Sequence, residues 1–321
     1  MSILDCDGVK WKPLPLDLPG FKRIMAGYQT AVENVGWASL FTGNHDQPRV
    51  VSRWGDDSSE ESRVRSAKAL GLMLHMHRGT PYVYQGEELG MTNAHFTSLD
   101  QYRDLESLNA YRQRVEEAKV QSPESMMAGI AARGRDNSRT PMQWDGSAYA
   151  GFTAPDAATE PWISVNPNHA EINAAGEFDD PDSVYAFYKK LIALRHNSSI
   201  VAAGEWRLID ADDAHVYAFT RTLGNERLLV VVNLSGRTVD LPRESTELIA
   251  GGVTEPDIIL STYDAPHTVV SLANRELDPW EAAAVQRNVG ILVSRGGFDR
   301  FRTSISVSRG WCSNSSGSET A

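Results

Sequence analysis

The residue pattern changes character once, near Gly204, and that change limits the architecture more than any other feature of the 321-residue chain. Before it, apolar residues recur at helical spacing. Phe21, Ile24, Met25, Tyr28, Ala31, Val32 and Val35 predict a helix over residues 20–35, stopped at Gly36. A short apolar strand is expected directly after it, over 37–42. A second helix is expected over 60–77, entered through Ser58 and Ser59 and closed by Gly79, followed by a second strand over 81–84. Helix, strand, helix, strand with short connections is the grammar of an α/β sheet, and it fits a doubly wound sheet or a (β/α) barrel equally. Further helices are expected over 102–119, from Ser122 and Pro123 onward, and over 183–197. The last carries Val184, Phe187, Tyr188, Leu191, Ile192 and Leu194 toward a core.

Beyond Gly204 the text turns to short alternating or apolar runs separated by Gly, Asn, Asp and Pro: 206–209, 216–220, 228–234, 258–261 and 269–272. These predict a small antiparallel β-sandwich. The expected division is therefore 1–203 for the α/β part, 204–287 for an all-β domain, and 288–321 for a Gly-, Arg- and Ser-rich tail without periodicity, expected to be disordered.

Apolar content of 41% with 23% charged residues is that of a globular protein with room for a large core. The net charge of -11 is spread along the chain, which disfavours nucleic acid as a partner. No basic n-region or long apolar stretch marks a signal peptide or a membrane span. Cys6 and Cys312 sit in no metal-ligand or redox spacing, so a reducing cytoplasm is the expected setting.

Three polar clusters can carry chemistry. Asn44-His45-Asp46-Gln47-Pro48-Arg49 directly follows an expected strand, where parallel α/β architectures keep their reacting groups. An ionised Asp accepts and an imidazole donates, so the pair can hold vicinal sugar hydroxyls; a polar turn capping a helix is the plainer alternative. The second cluster, residues 79–90, ends a strand with Tyr82, Tyr84, Glu87 and Glu88. It reads either as an aromatic sugar platform or as strand-end packing with glutamates held by buried hydrogen bonds. The third, residues 133–145, offers Arg133, Arg135 and Arg139, whose forked donors suit carboxylates and hydroxyls, or else simply face solvent. There is no phosphate loop, nucleophile elbow or zinc spacing, so no metal or cofactor is expected. His75 and His77 are read as packing or surface residues.

Together these clusters are far more specific than any one alone. Residues 41–53, Phe-Thr-Gly-Asn-His-Asp-Gln-Pro-Arg-Val-Val-Ser-Arg, resemble the fourth conserved region of glycoside hydrolases of the α-amylase superfamily, in the oligo-1,6-glucosidase and α-glucosidase branch. Residues 79–93, 134–145 and the run Pro161-Trp162-Ile163-Ser164-Val165-Asn166-Pro167-Asn168 are similar to signatures that follow in the same order. The likeness extends from about Asp5 to Ala283.

The resemblance implies the C-terminal part of a (β/α)8 TIM barrel, with 37–42 as strand seven and 81–84 as strand eight, followed by the family's β domain. It implies hydrolysis of α-1,6 or α-1,4 glucosidic bonds in short oligosaccharides by retention, which needs a nucleophile and an acid/base carboxylate about 5 to 5.5 Å apart. Asp46 matches the third carboxylate, the transition-state stabiliser. His45 matches its hydroxyl-binding neighbour, Arg135 an arginine of the non-reducing glucose subsite, and Arg139 is expected to reach the next subsite. No segment matches the motifs of the other two carboxylates, and Asp5, Asp7 and Asp17 lie in a different loop. A whole barrel takes roughly 200 to 250 residues, yet about two strands precede the β domain. The chain alone is therefore expected to be weakly folded and without hydrolytic activity. A sucrose isomerase or trehalulose synthase of the same superfamily is the alternative, although Leu4-Asp5-Cys6-Asp7 has cysteine where those isomerases carry arginine. A non-catalytic superfamily member is a third reading, opposed by the intact Asn-His-Asp motif and Arg135.

Overall fold

A computed structural model describes residues 6–251 and 257–288, all within one compact unit. Asp5, Cys312 and nearly all of the expected tail lie outside the described residues.

The first long helix spans Leu18–Val32, shifted toward the N-terminus relative to the periodic pattern. Its start is set by a cap that hydrophobic spacing does not register. Asp17 accepts a hydrogen bond from Gly20 N at 3.0 Å, and Pro19 in the first turn has no N–H to leave unpaired. The second helix, Glu60–His75, opens on Ser59, which accepts from Ser62 N at 3.1 Å. The two expected strands are present but short: Ser39–Leu40 pairs in parallel with Thr80–Pro81. Parallel pairing is the relation expected of adjacent barrel strands. Among the described residues no further strand joins this pair, and Trp37, Phe41 and Tyr82 beside it are each about half exposed. Gly79 makes the approach possible, because its φ is +146° and a Cβ there would sit 2.5 Å from the Ala38 carbonyl oxygen.

The segment from Gly204 forms one five-stranded antiparallel sheet in the order Glu205–Ile209, Val216–Leu223, Glu226–Asn233, Ala282–Asn288, Asp257–Ser261. Both faces are covered, which is why Leu228 to Val232 reads as an unbroken apolar run. Tyr217, Phe219, Val230 and Ala284 pack with Phe21, Trp54, Leu70 and Phe187 of the helices. On the other face Val216, Ala218, Val231 and Val285 meet Leu241, Leu272 and Leu277. The second layer of the expected sandwich is therefore not a full sheet. It consists of the helices Arg243–Ala250 and Ala265–Asn274 and a two-stranded pairing of Val239–Asp240 with Glu276–Leu277.

The expected strand at 269–272 lies inside the Ala265–Asn274 helix. Its β-branched Thr268-Val269-Val270 run favours a strand locally, but Asp264 caps the helix by accepting from His267 N at 2.7 Å, and Pro266 fits its first turn. The Val184–Asn197 helix follows expectation, with Ser183 as its cap, except that Ile192 faces outward.

Two buried cations tie the helices to the sheet. Arg221 donates to the carbonyls of Gly204, Met76 and Val201, and Lys22 to those of Asp210, Asp213 and Val216. Burial lowers the Lys22 ammonium to about 8 and the Arg221 guanidinium to about 9. His75 and His77 are packing residues, both buried: His77 Nε2 lies 2.8 Å from the Tyr217 hydroxyl, and His75 stands edge-on to Tyr188. Among the described residues no helix is long and apolar enough to cross a membrane.

Candidate active site

The loop after the Ser39–Leu40 strand is shaped by its own side chains. Asn44 Oδ1 accepts from Asp46 N at 2.8 Å, and Gln47 N donates back to Asn44 O at 3.2 Å, forming a local turn. Arg49, fully buried, fixes the next residues by donating to Gln85 O at 2.5 Å and to Asn137 O at 3.2 Å, while its own N–H reaches Asn93 Oδ1 at 3.0 Å. The three clusters distinguished in the sequence thus meet around one guanidinium.

All four anticipated site residues come together here. Arg139 Nη2 lies 2.7 Å and Arg135 Nη1 3.4 Å from Asp46 Oδ1, and His45 Nε2 is 3.4 Å from Asp46 Oδ2. Arg139 Nε also donates to His45 O at 2.8 Å, locking the loop to the arginine segment. The Asp46 carboxylate is 46% exposed and stands on an open face. A hollow of about 490 Å³ lies elsewhere, on the sheet between Arg207, Arg227 and Leu248, remote from this chemistry.

Behind the arginines stands a second tier of acids that motif reading did not find. Asp104, buried, accepts from Arg135 Nη2 at 2.6 Å and Nε at 3.1 Å. Burial alone would raise its pKa, but the hydrogen bonds from Arg135 and Glu106 N together with the charges of Arg135 and Arg139 outweigh that and hold it below the ordinary carboxylate range. The bonds to Asp104 raise Arg135 further above its usual value. Glu106 Oε2 lies 3.1 Å from Arg135 and 2.5 Å from Lys10 Nζ. Asp136 receives the N–H groups of Arg103 and Asp104 at 2.7 and 2.8 Å. The sequence pattern puts Asp104 inside the helix expected over 102–119, whereas it caps the helix Leu105–Tyr111 by accepting from Glu106 N; nothing in its local pattern signals the arginine.

The 79–90 cluster divides between its two readings. Tyr84 donates its hydroxyl hydrogen to Ser138 O at 2.9 Å, and Glu87 is buried beneath Gly43, as strand-end packing requires. Burial pushes the Glu87 carboxyl up to about 8, so it is largely protonated at neutral pH. Tyr82 remains exposed beside the strand pair. Asp7 and Asp17 are engaged elsewhere: Asp17 as the cap described above, Asp7 in a buried cluster with Arg53 Nε at 2.8 Å, Arg133 Nη2 at 2.8 Å and the Trp54 indole N–H.

The chain belongs to the α-amylase family: the model of the α-amylase catalytic domain matches residues 3–204, which include the Asn-His-Asp turn and both arginines. Within that family, an oligo-1,6-glucosidase of Parageobacillus thermoglucosidasius is 48% identical over 275 residues, which is 86% of this chain and 47% of the relative. The solved trehalose-6-phosphate hydrolase of Bacillus licheniformis superposes with a TM-score of 0.77 at 39% identity, over 89% of this chain and 50% of its own. An isomaltulose synthase variant of Erwinia rhapontici NX5, solved with its natural substrate sucrose, gives 0.75 at 36% identity, over 87% and 48%. The chain spans about half the length of the curated relatives it matches.

Proposed function

We propose that this chain supplies the transition-state-stabilising half of a retaining glycoside hydrolase that cleaves α-1,6 or α-1,4 glucosidic bonds in short oligosaccharides. In that reading residues up to 203 are barrel and 204–287 its C-terminal domain. The observation that carries the reading is the convergence of His45, Arg135 and Arg139 on Asp46 just beyond a parallel strand. As the glycosidic bond breaks, positive charge grows on the sugar ring, and a fixed anion whose hydrogen bonds to ring hydroxyls tighten at that moment lowers the barrier. His45 shares those hydroxyls. Arg135 and Arg139 orient the carboxylate and offer further donors to the glucose. The attacking and proton-donating carboxylates match no segment of these 321 residues, so in this reading they come from sequence outside them.

Hydrolysis is favoured over sucrose isomerisation by Cys6, a buried apolar side chain at the position where the isomerases carry a charged one. The direct test is turnover of p-nitrophenyl α-glucoside by the purified chain beside its Asp46→Asn variant. The two are expected to be indistinguishable, and release by the parent well above the variant would contradict the division of catalytic groups.

A further inference from the structure

Well outside the 44–49 loop, the helix Ala265–Asn274 and the turn before the strand Ala282–Asn288 bring three ligand-type side chains together. His267 Nε2 and one carboxylate oxygen each from Asp278 and Glu281 lie within 4.8 Å of one another. His267 Nε2 is 2.9 Å from Asp278 Oδ2, near the roughly 3.3 Å that separates two ligands of a tetrahedral ion with bonds of about 2.0–2.1 Å.

Glu281 Oε1, on a side chain with no solvent exposure, is buried without a hydrogen bond, while His267 Nε2, also buried, has the Asp278 carboxylate as its ion-pair partner. The Ser271 and Thr268 hydroxyls act on the Glu281 carboxyl as weak hydrogen-bond partners, but neither meets Oε1 in good hydrogen-bond geometry. Buried polar atoms are rarely left unpaired, and a cation shared with the His267–Asp278 pair would satisfy Glu281 Oε1.

We propose that His267, Asp278 and Glu281 form a binding site for a divalent transition metal, zinc foremost, that staples the 265–274 helix to the start of the last strand. One imidazole and two carboxylates suit zinc, whereas calcium and magnesium take six or more oxygens. The ligands are also held from behind. Asp278 Oδ1 accepts from Thr238 Oγ1 at 3.0 Å, and Glu281 Oε2 accepts from Asp278 N at 2.9 Å. The Tyr263 ring stacks on His267 at 4.5 Å, anchored by its hydroxyl donating to Pro279 O. The His267 and Asp278 side chains are about one-third exposed, which leaves an entry path and room for water as a fourth ligand. The site is invisible to a search for paired His/Cys spacings, because its members are one histidine and two acids, eleven and three residues apart in sequence.

The test is titration of the chelator-stripped 321-residue protein with zinc chloride and, separately, cobalt chloride. The expected result is one zinc per chain by calorimetry, a visible tetrahedral cobalt band displaced by zinc, and a Tm raised by about 5 °C at a hundredfold excess over Kd. Asp278→Asn and Glu281→Gln should each weaken binding at least tenfold while keeping the parent's circular dichroism in chelator. Asp278 is partly exposed, so D278N keeps the test decisive even where E281Q disturbs the fold. Absence of saturable binding, affinities equal to the parent in D278N, or a cobalt–thiolate band assigning the ion to cysteine would each overturn the proposal.

Discussion

Two guanidinium groups reach Asp46 from one short segment, and each is gripped on its far side by carboxylates, so the aspartate is held by a chain of alternating charge rather than by one partner. His45, Asp46, Arg135 and Arg139 were legible in the sequence because each lies in a compact motif. Asp104 was not, because the pattern there reads only as helix. Charge burial at the neighbouring Asp7 gives a stability prediction. Asp7→Asn leaves Arg53 and Arg133 buried against a neutral amide, and chemical denaturation should register a loss of about 3–5 kcal/mol; a change under 1 kcal/mol would show the cluster to be dispensable. The pH dependence has two opposed limbs. His77 and His75 fall through burial to about 3 and 4, below their unbound value of 6.5. Their contribution is present above pH 6.5 and is lost as pH falls toward 4 and 3. Glu87 moves the other way, from 4.5 to about 8, so its contribution is present below pH 4.5 and is lost as pH rises toward 8. Glu87→Gln, which cannot ionise, should flatten the decline in unfolding free energy between pH 6.5 and 8; an unchanged slope would mean that Glu87 is already ionised.

At the scale of elements, periodicity found the long helices before Gly204 and the neighbourhood of both short strands, and it missed the 243–250 and 265–274 helices. The first helix starts on Asp17 and Pro19, two residues before its periodic core. Residues 269–272 are helical because Asp264 and Pro266 nucleate a turn that β-branched propensity opposes. The sandwich expectation failed for a related reason: the alternation that marks one sheet is local, whereas what covers its second face depends on helices whose exposed sides carry no distinctive pattern. Removing the Asp264 cap should therefore matter more than its surface position suggests. Asp264→Ala is expected to cost about 1 kcal/mol and to speed hydrogen exchange selectively in the 265–274 amides. Exchange that stays as slow as in the parent would argue that packing of Leu272, not the cap, holds that helix.

For the whole molecule, the helices and the five-stranded sheet share one core, with Arg221 and Lys22 bridging them, while the strand pair that presents Asp46 leaves Trp37, Phe41 and Tyr82 open to solvent. On the reading proposed above, these open apolar side chains lie on the face to which further barrel strands would add. The interlocking of the two parts was not readable, because a buried Arg or Lys donating to backbone carbonyls leaves no trace in spacing. The most direct measurement joins this chain to the preceding barrel segment of the Parageobacillus thermoglucosidasius oligo-1,6-glucosidase and compares the folded hybrid with its Asp46→Asn form on p-nitrophenyl α-glucoside. Turnover by the hybrid is expected, with a fall of at least about 10²–10³ in kcat on removing the Asp46 charge; a hybrid that hydrolyses equally well with asparagine at that position would contradict the role proposed for Asp46.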